Sequence, residues 1–128
     1  MSDGISRVLD YIDHMLQATD RITRYVEGKD RQAFLRDELV QDAVIRNLEI
    51  LGEAARNIEK HAPDFVERHR YIPWAAIYGM RNRVTHGYFS VDLDLVWKTL
   101  KKDIPELDAA RKSLRLQAKE RWKTADKT

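Results

Sequence analysis

The stretch DELVQDAVIRNLEILGEAARNIEKH, residues 37–61, constrains this chain more than any other. Its apolar residues Leu39, Val40, Ala43, Val44, Leu48, Leu51, Ala55 and Ile58 recur at three- and four-residue steps, the period of a helix with one buried face. Acidic residues crowd its first turn, where the helix dipole favours them, and Pro63 stops it. A long helix with one apolar stripe must bury that stripe against other elements, and the neighbouring segments carry the same period. From Ile5, the positions Val8, Leu9, Ile12, Leu16, Ile22 and Val26 outline a first helix, with Ser2 or Asp3 to cap it and Gly28 to end it. A short segment around DRQAFLRD follows, with Asp30 as cap and Phe34 and Leu35 facing inward.

PDFVERH is compatible with one or two helical turns. IPWAAIYGMRNRVTH opens with Pro73, which a first turn tolerates, and draws apolar contacts from Trp74, Ile77 and Met80. Gly87 suits the left-handed residue after a helix end, which puts His86 in or beside the last turn. Leu93, Val96, Trp97 and Leu100 mark another helix, Pro105 is expected to break it, and Leu107, Ala110, Leu114 and Ala118 outline the last. No segment alternates as a strand would, and no flexible linker divides the chain. The expectation is an all-α, up-and-down bundle of four to six helices forming one domain over residues 1–128, with a basic tail from about residue 115 that is mobile.

Composition narrows the chemistry. The absence of cysteine removes disulfides and thiolate metal sites and suits a reducing compartment. With no signal-like N-terminus and no membrane-length apolar run, a cytoplasmic protein is expected. His14, His61, His69 and His86 are spaced so that no two share a metal-ligand step on one helix, so neither metal nor cofactor is expected. The net charge of +2 is uneven: ten Lys/Arg against five Asp/Glu from Lys98 onward leave the earlier part negative. Such a basic end fits an RNA or phosphate surface, and equally a solvated helix face. Glu53, beside Gly52, is either a buried acid facing a functional arginine or an exposed charge next to a close helix crossing.

MRNRVTHGYF, residues 80–89, gathers complementary groups at one helix end. Asn82 and His86 are four residues apart and share a face, whereas Arg81 and His86 lie about 140° apart on an ideal helix. A guanidinium grips phosphate oxygens bidentately while an imidazole exchanges protons near neutral pH, a pairing suited to phosphodiester cleavage. RNA carries its own nucleophile, the 2′-hydroxyl, so a base and cationic groups suffice without metal or covalent intermediate. On spacing alone, Arg81 and Arg83 are equally cations favoured at a helix C-terminus, with His86 a cap and Tyr88 a packing aromatic.

Arg81, His86 and Tyr88 form an R-x4-H-x-Y arrangement that resembles the signature of the HepT-like toxins of the HEPN superfamily. DAVIRNLEILGEAAR before it, a tryptophan shortly upstream and VDLDLVWKTLKKDIPEL after it extend the resemblance from about Ile5 to Leu114. The resemblance implies a HEPN-type helical bundle and a homodimeric endoribonuclease toxin of a type VII-like toxin-antitoxin module, whose antitoxin is a minimal nucleotidyltransferase. It further implies Arg81 and His86 as the catalytic pair, Asn82 as a shaping residue and Tyr88 as the acceptor of AMP that silences the toxin. Arg83, in the unspecified part of the motif, is a candidate phosphate contact. Two sets brought together across a twofold axis would let Arg81 of one protomer act with His86 of the other. The competing expectations are a non-catalytic nucleotide- or substrate-binding partner of a nucleotidyltransferase, and a structural helical adaptor.

Overall fold

The computed structural model describes the backbone of residues 2–79 and 92–127, and the side chains of 7–79, 92–111, 113–117 and 119. The described elements are α1 (Ser2–Val26), α2 (Arg31–Leu35), α3 (Glu38–His61), α4 (Pro63–Arg68), α5, which begins at residue 74 and is described to 79, and α6 (Leu93–Lys127). All are α-helices, so the all-α expectation stands. α1 packs along both α3 and α6, while α2 and α4 are short helices lying against α3. Tyr11, in the first half of α1, stacks on His61 at the C-terminal end of α3, with ring centroids 5.9 Å apart, so these two helices run antiparallel. Arg111 pairs with Asp20 at 2.8 Å and Arg115 with Asp13 at 3.4 Å, and the descending order sets α6 antiparallel to α1 as well.

Local chemistry explains the junctions. Gly28, at φ +73, reverses the chain after α1, and Lys29 donates its N–H to the carbonyl of Val26 at 3.0 Å. A Cβ there would meet nothing, so the left-handed backbone alone requires glycine. Asp30 accepts the N–H of Ala33 at 2.8 Å and Asp37 that of Val40 at 3.1 Å, capping α2 and α3. Gln41, buried, donates from Nε2 to the carbonyl of Phe34 at 2.9 Å and ties the end of α2 to α3.

The core is the joint apolar face of these helices. Ile12, Met15 and Ile22 of α1, Val44, Leu48, Leu51 and Ile58 of α3, and Val96, Leu100, Leu107 and Leu114 of α6 are all buried. The sequence period therefore located the inward face, with two corrections. Leu39, placed on the inward stripe, is 80% exposed; at 100° per residue it lies about 140° from the centre of the buried face formed by Val44, Leu48, Leu51, Ala55 and Ile58, so it belongs to the solvent side of α3. Pro105, expected to break the chain into two helices, lies inside the continuous α6. Proline removes one backbone hydrogen bond and crowds the preceding turn. Here Leu100 and Ile104 before it and Leu107 after it are buried in the same core, and their burial keeps the helix whole. Among the described residues no helix is long and apolar enough to cross a membrane.

His69 is a core histidine. It sits at the C-terminal end of α4, with Nδ1 donating to the carbonyl of Phe65 at 2.7 Å and Nε2 meeting the side-chain amide of Gln117 at 2.6 Å. Trp74, at the start of α5, donates its indole N–H to the carbonyl of His69 at 2.9 Å. This cluster joins α4, the beginning of α5 and the second half of α6 at one end of the bundle.

Candidate active site

Arg81, Asn82, Arg83, His86 and Tyr88 lie outside the described residues, as do Met80 and Gly87. What the structure defines is the frame on either side of them. Upstream, α5 is anchored by buried Trp74 and Ile77 and by Tyr78, whose hydroxyl faces the carbonyl of Ala55 on α3 at 3.5 Å. Burial, reinforced by a hydrogen bond and the charge of Glu59, pushes the Tyr78 phenol well above its ordinary pKa, so it remains a proton donor through the neutral range. Tyr78 precedes Arg81 by only three residues.

Downstream, the chain re-enters the fold at Asp92, which accepts the N–H of Leu95 at 3.1 Å and caps α6. Asp94 forms an ion pair with Arg31 of α2. Trp97 packs against Phe34 with ring centroids 5.4 Å apart, and the ammonium of Lys101 lies 4.6 Å from the Trp97 ring. The described residues on either side of the segment are thus fixed to the core, Tyr78 beside the C-terminal third of α3 and Asp94 and Trp97 beside α2.

A groove of about 710 Å³ opens beside Tyr78, between α3 and Pro63. Its α3 wall carries Glu53, Arg56, Glu59 and Lys60, two carboxylates and two cations, so its formal charge is balanced. A second hollow of about 370 Å³ lies further along α3, against Tyr11 and His14 of α1, and Glu53 borders both. Glu53 is exposed, which rules out the buried-acid alternative, and the neighbouring Gly52 is buried. Sequence reasoning passed over Tyr78, Arg56 and Lys60. Tyr78 reads as one more packing aromatic, and the other two as ordinary charges on a solvated face. Only the folded arrangement sets residues 52–60 beside residue 78. Among the described residues, no three His, Asp or Glu side chains converge as they would around a metal ion.

An all-helical domain that braces a short polar segment at both ends is the class of protein defined so far. Comparison with known proteins gives the family. The model of the HepT-like ribonuclease family matches residues 15–114, and the chain belongs to that family. It is 38% identical over 104 residues to "Putative RNase TTE0752" of Caldanaerobacter subterraneus subsp. tengcongensis, a match covering 81% of this chain and 90% of that relative. It is 41% identical over 106 residues to "Probable ribonuclease HepT" of Thermococcus cleftensis, covering 83% of this chain and 94% of the other. "Putative RNase MJ1380" of Methanocaldococcus jannaschii is 34% identical over 97 residues, 76% of this chain and 86% of that one. No solved structure matches the chain closely enough to count as a relative. The protein is a ribonuclease of the HepT-like class, and residues 80–91 fall inside the matched region.

Proposed function

We propose that the protein is a metal-independent endoribonuclease toxin in which Arg81 and His86 cut RNA, each site being completed across a homodimer. The observation that carries this reading is the R-x4-H-x-Y spacing of Arg81, His86 and Tyr88 in a chain of the HepT-like ribonuclease family. His86 takes the proton from a ribose 2′-hydroxyl, whose oxygen bonds to the adjacent phosphorus as the bond to the 5′-oxygen breaks. The departing 5′-oxygen acquires a proton, leaving a 2′,3′-cyclic phosphate on one product and a 5′-hydroxyl on the other. Arg81 holds two non-bridging oxygens as negative charge builds on them, with Asn82 and Arg83 supporting the phosphate. Because Arg81 and His86 point to different sides of an ideal helix, two copies of the helix end facing each other supply a convergent pair more readily than one.

The proposed partner is a minimal nucleotidyltransferase antitoxin in a type VII-like module of the cytoplasm. The Tyr88 phenol oxygen attacks the α-phosphate of ATP, a phosphorus–oxygen bond forms, and pyrophosphate leaves with loss of the phenolic proton. The attached AMP adds bulk and negative charge where an RNA phosphate must bind, and opposes it by occupation and repulsion.

Purified protein incubated with RNA and excess chelator tests the chemistry. Cyclic phosphate ends are expected, whereas RNA that is bound but left intact favours the non-catalytic partner reading. For the regulation, incubation with a cognate nucleotidyltransferase and ATP is expected to add one or more AMP masses at Tyr88 and to silence cleavage. If a Tyr88→Phe protein is modified and silenced to the same extent, Tyr88 has no part in the control.

A further inference from the structure

The cationic excess of the chain lies wholly at its C-terminal end. From Arg111 onward there are seven Lys/Arg against two Asp/Glu, and the preceding residues hold sixteen against nineteen. The groove beside Tyr78 is charge-balanced, so its own field does little to draw a polyanion. The backbone of the basic segment is helical: α6 runs to Lys127, whereas the match to the family model ends at residue 114. The helix therefore continues past the region matched by the family model.

The register of that continuation is informative. At 100° per residue, positions 112, 115, 119 and 123 fall within an arc of about 80°. All four are Lys or Arg. These register positions are centred about 135° from those of the buried Leu107 and Leu114. Along the axis it extends about 16 Å. Lys119 is exposed, and Arg115 forms a half-exposed pair with Asp13 at 3.4 Å. Such a surface pair contributes little and exchanges readily for another anion. Glu120 and Asp126 are the two acids of the segment.

The continuation also lies beside the start of α5. His69 meets Gln117 on α6 at 2.6 Å and accepts the Trp74 indole N–H at 2.9 Å, so α5 starts beside the continuation. Arg81 follows Trp74 by seven residues, at most about 25 Å of chain. One RNA strand of a few nucleotides bridges that distance.

We propose that the C-terminal continuation of α6 is an RNA-binding arm, in which Lys112, Arg115, Lys119 and Lys123 follow the phosphates of the strand flanking the scissile linkage. The occupant is RNA because the protein is a ribonuclease, and a row of cations at helical spacing complements a polyanionic backbone without reading its bases. The proposal rests on RNA being the substrate class and is independent of which residues cut it.

The test is equilibrium binding of a fluorescently labelled 12-nucleotide 2′-O-methyl RNA, which has no free 2′-hydroxyl and cannot be cleaved, to the full chain over a range of salt concentrations. A Lys119→Gln/Lys123→Gln protein is expected to bind about tenfold more weakly at moderate salt. Its log–log salt slope should be shallower by about 1.4, or about 0.7 per lost phosphate contact. Lys119→Arg/Lys123→Arg should restore both, and Arg24→Gln/Arg36→Gln, at the opposite end of the bundle, should leave both unchanged. Equal affinity and slope in the Lys119→Gln/Lys123→Gln protein overturn the proposal, and so does equal weakening by the Arg24→Gln/Arg36→Gln control. Because no cleavage is measured, the arm can fail while the ribonuclease site stands, and the reverse.

Discussion

A His86→Ala protein is expected to cleave RNA about a thousandfold more slowly than the parent while melting at the same temperature. Positioned general acid–base catalysis contributes 10²–10⁴ in rate, and a thousandfold loss corresponds to about 4 kcal/mol of activation free energy. Arg81→Ala is expected to lose a factor of similar order, because the guanidinium meets charge that develops on the phosphate oxygens as the ribose attacks. Arg81→Lys keeps the charge but loses the two-pronged geometry, so most of that deficit should persist. The double variant should be little worse than either single one, since base and clamp act on the same transition state. Single-turnover cleavage of a labelled oligonucleotide, with thermal melts of each variant, checks all four statements. Unchanged turnover in both alanine variants would remove Arg81 and His86 from the chemistry.

The second large effect is structural. Phe34→Ala is expected to destabilise the fold by about 3–5 kcal/mol, the usual cost of emptying a buried aromatic site. Phe34 is 0% exposed, packs on Trp97, and lies in a helix of five residues with little hydrogen bonding of its own to fall back on. A domain of this size has a total stability of about 5–15 kcal/mol, so the melting temperature should fall by on the order of 10–15 °C. Leu39→Ala, at a position 80% exposed, should shift it by less than about 2 °C. Because Phe34 and Trp97 anchor the chain where it returns from the motif segment, the Phe34 variant should also lose cleavage at temperatures below its melt. Equal melts for the two variants would mean that α2 is not part of the cooperative core.

Much of this architecture is written in the apolar period of the chain. Val44, Leu48, Leu51 and Ile58 share one buried face because only a helix returns those spacings to the same side, and Ile12, Leu16 and Ile22 do the same for α1. The sequence rules failed where tertiary packing outweighs local preference. Pro105 is a helix breaker by its own chemistry, but the core grips α6 on both sides of it. Leu39 is apolar, but nine residues before Leu48 its register sets it on the opposite face of α3, in solvent. The sequence assigns His69 no role, because its partners Phe65 and Gln117 are 4 and 48 residues away and only folding brings the second one near.

The site divides along the same line. Its chemical groups are contiguous in sequence, so Arg81, His86 and Tyr88 are legible as a motif. The groove beside Tyr78 is assembled from α3, Pro63 and Tyr78 itself, and no spacing rule in the chain announces it. The charge bias of the last helix was visible from composition, but its meaning depends on a continuous α6 that gives its cations a common register.

The most direct measurement of the central claim is complementation between two inactive proteins. Arg81→Ala and His86→Ala chains are mixed, unfolded and refolded together, so that about half of the dimers contain one of each. If every site takes its arginine from one protomer and its histidine from the other, each mixed dimer rebuilds one intact site of two, and RNA cleavage should return to about a quarter of the parent rate. A mixture that forms mixed dimers and stays as inactive as its two components would contradict a site shared across the twofold axis.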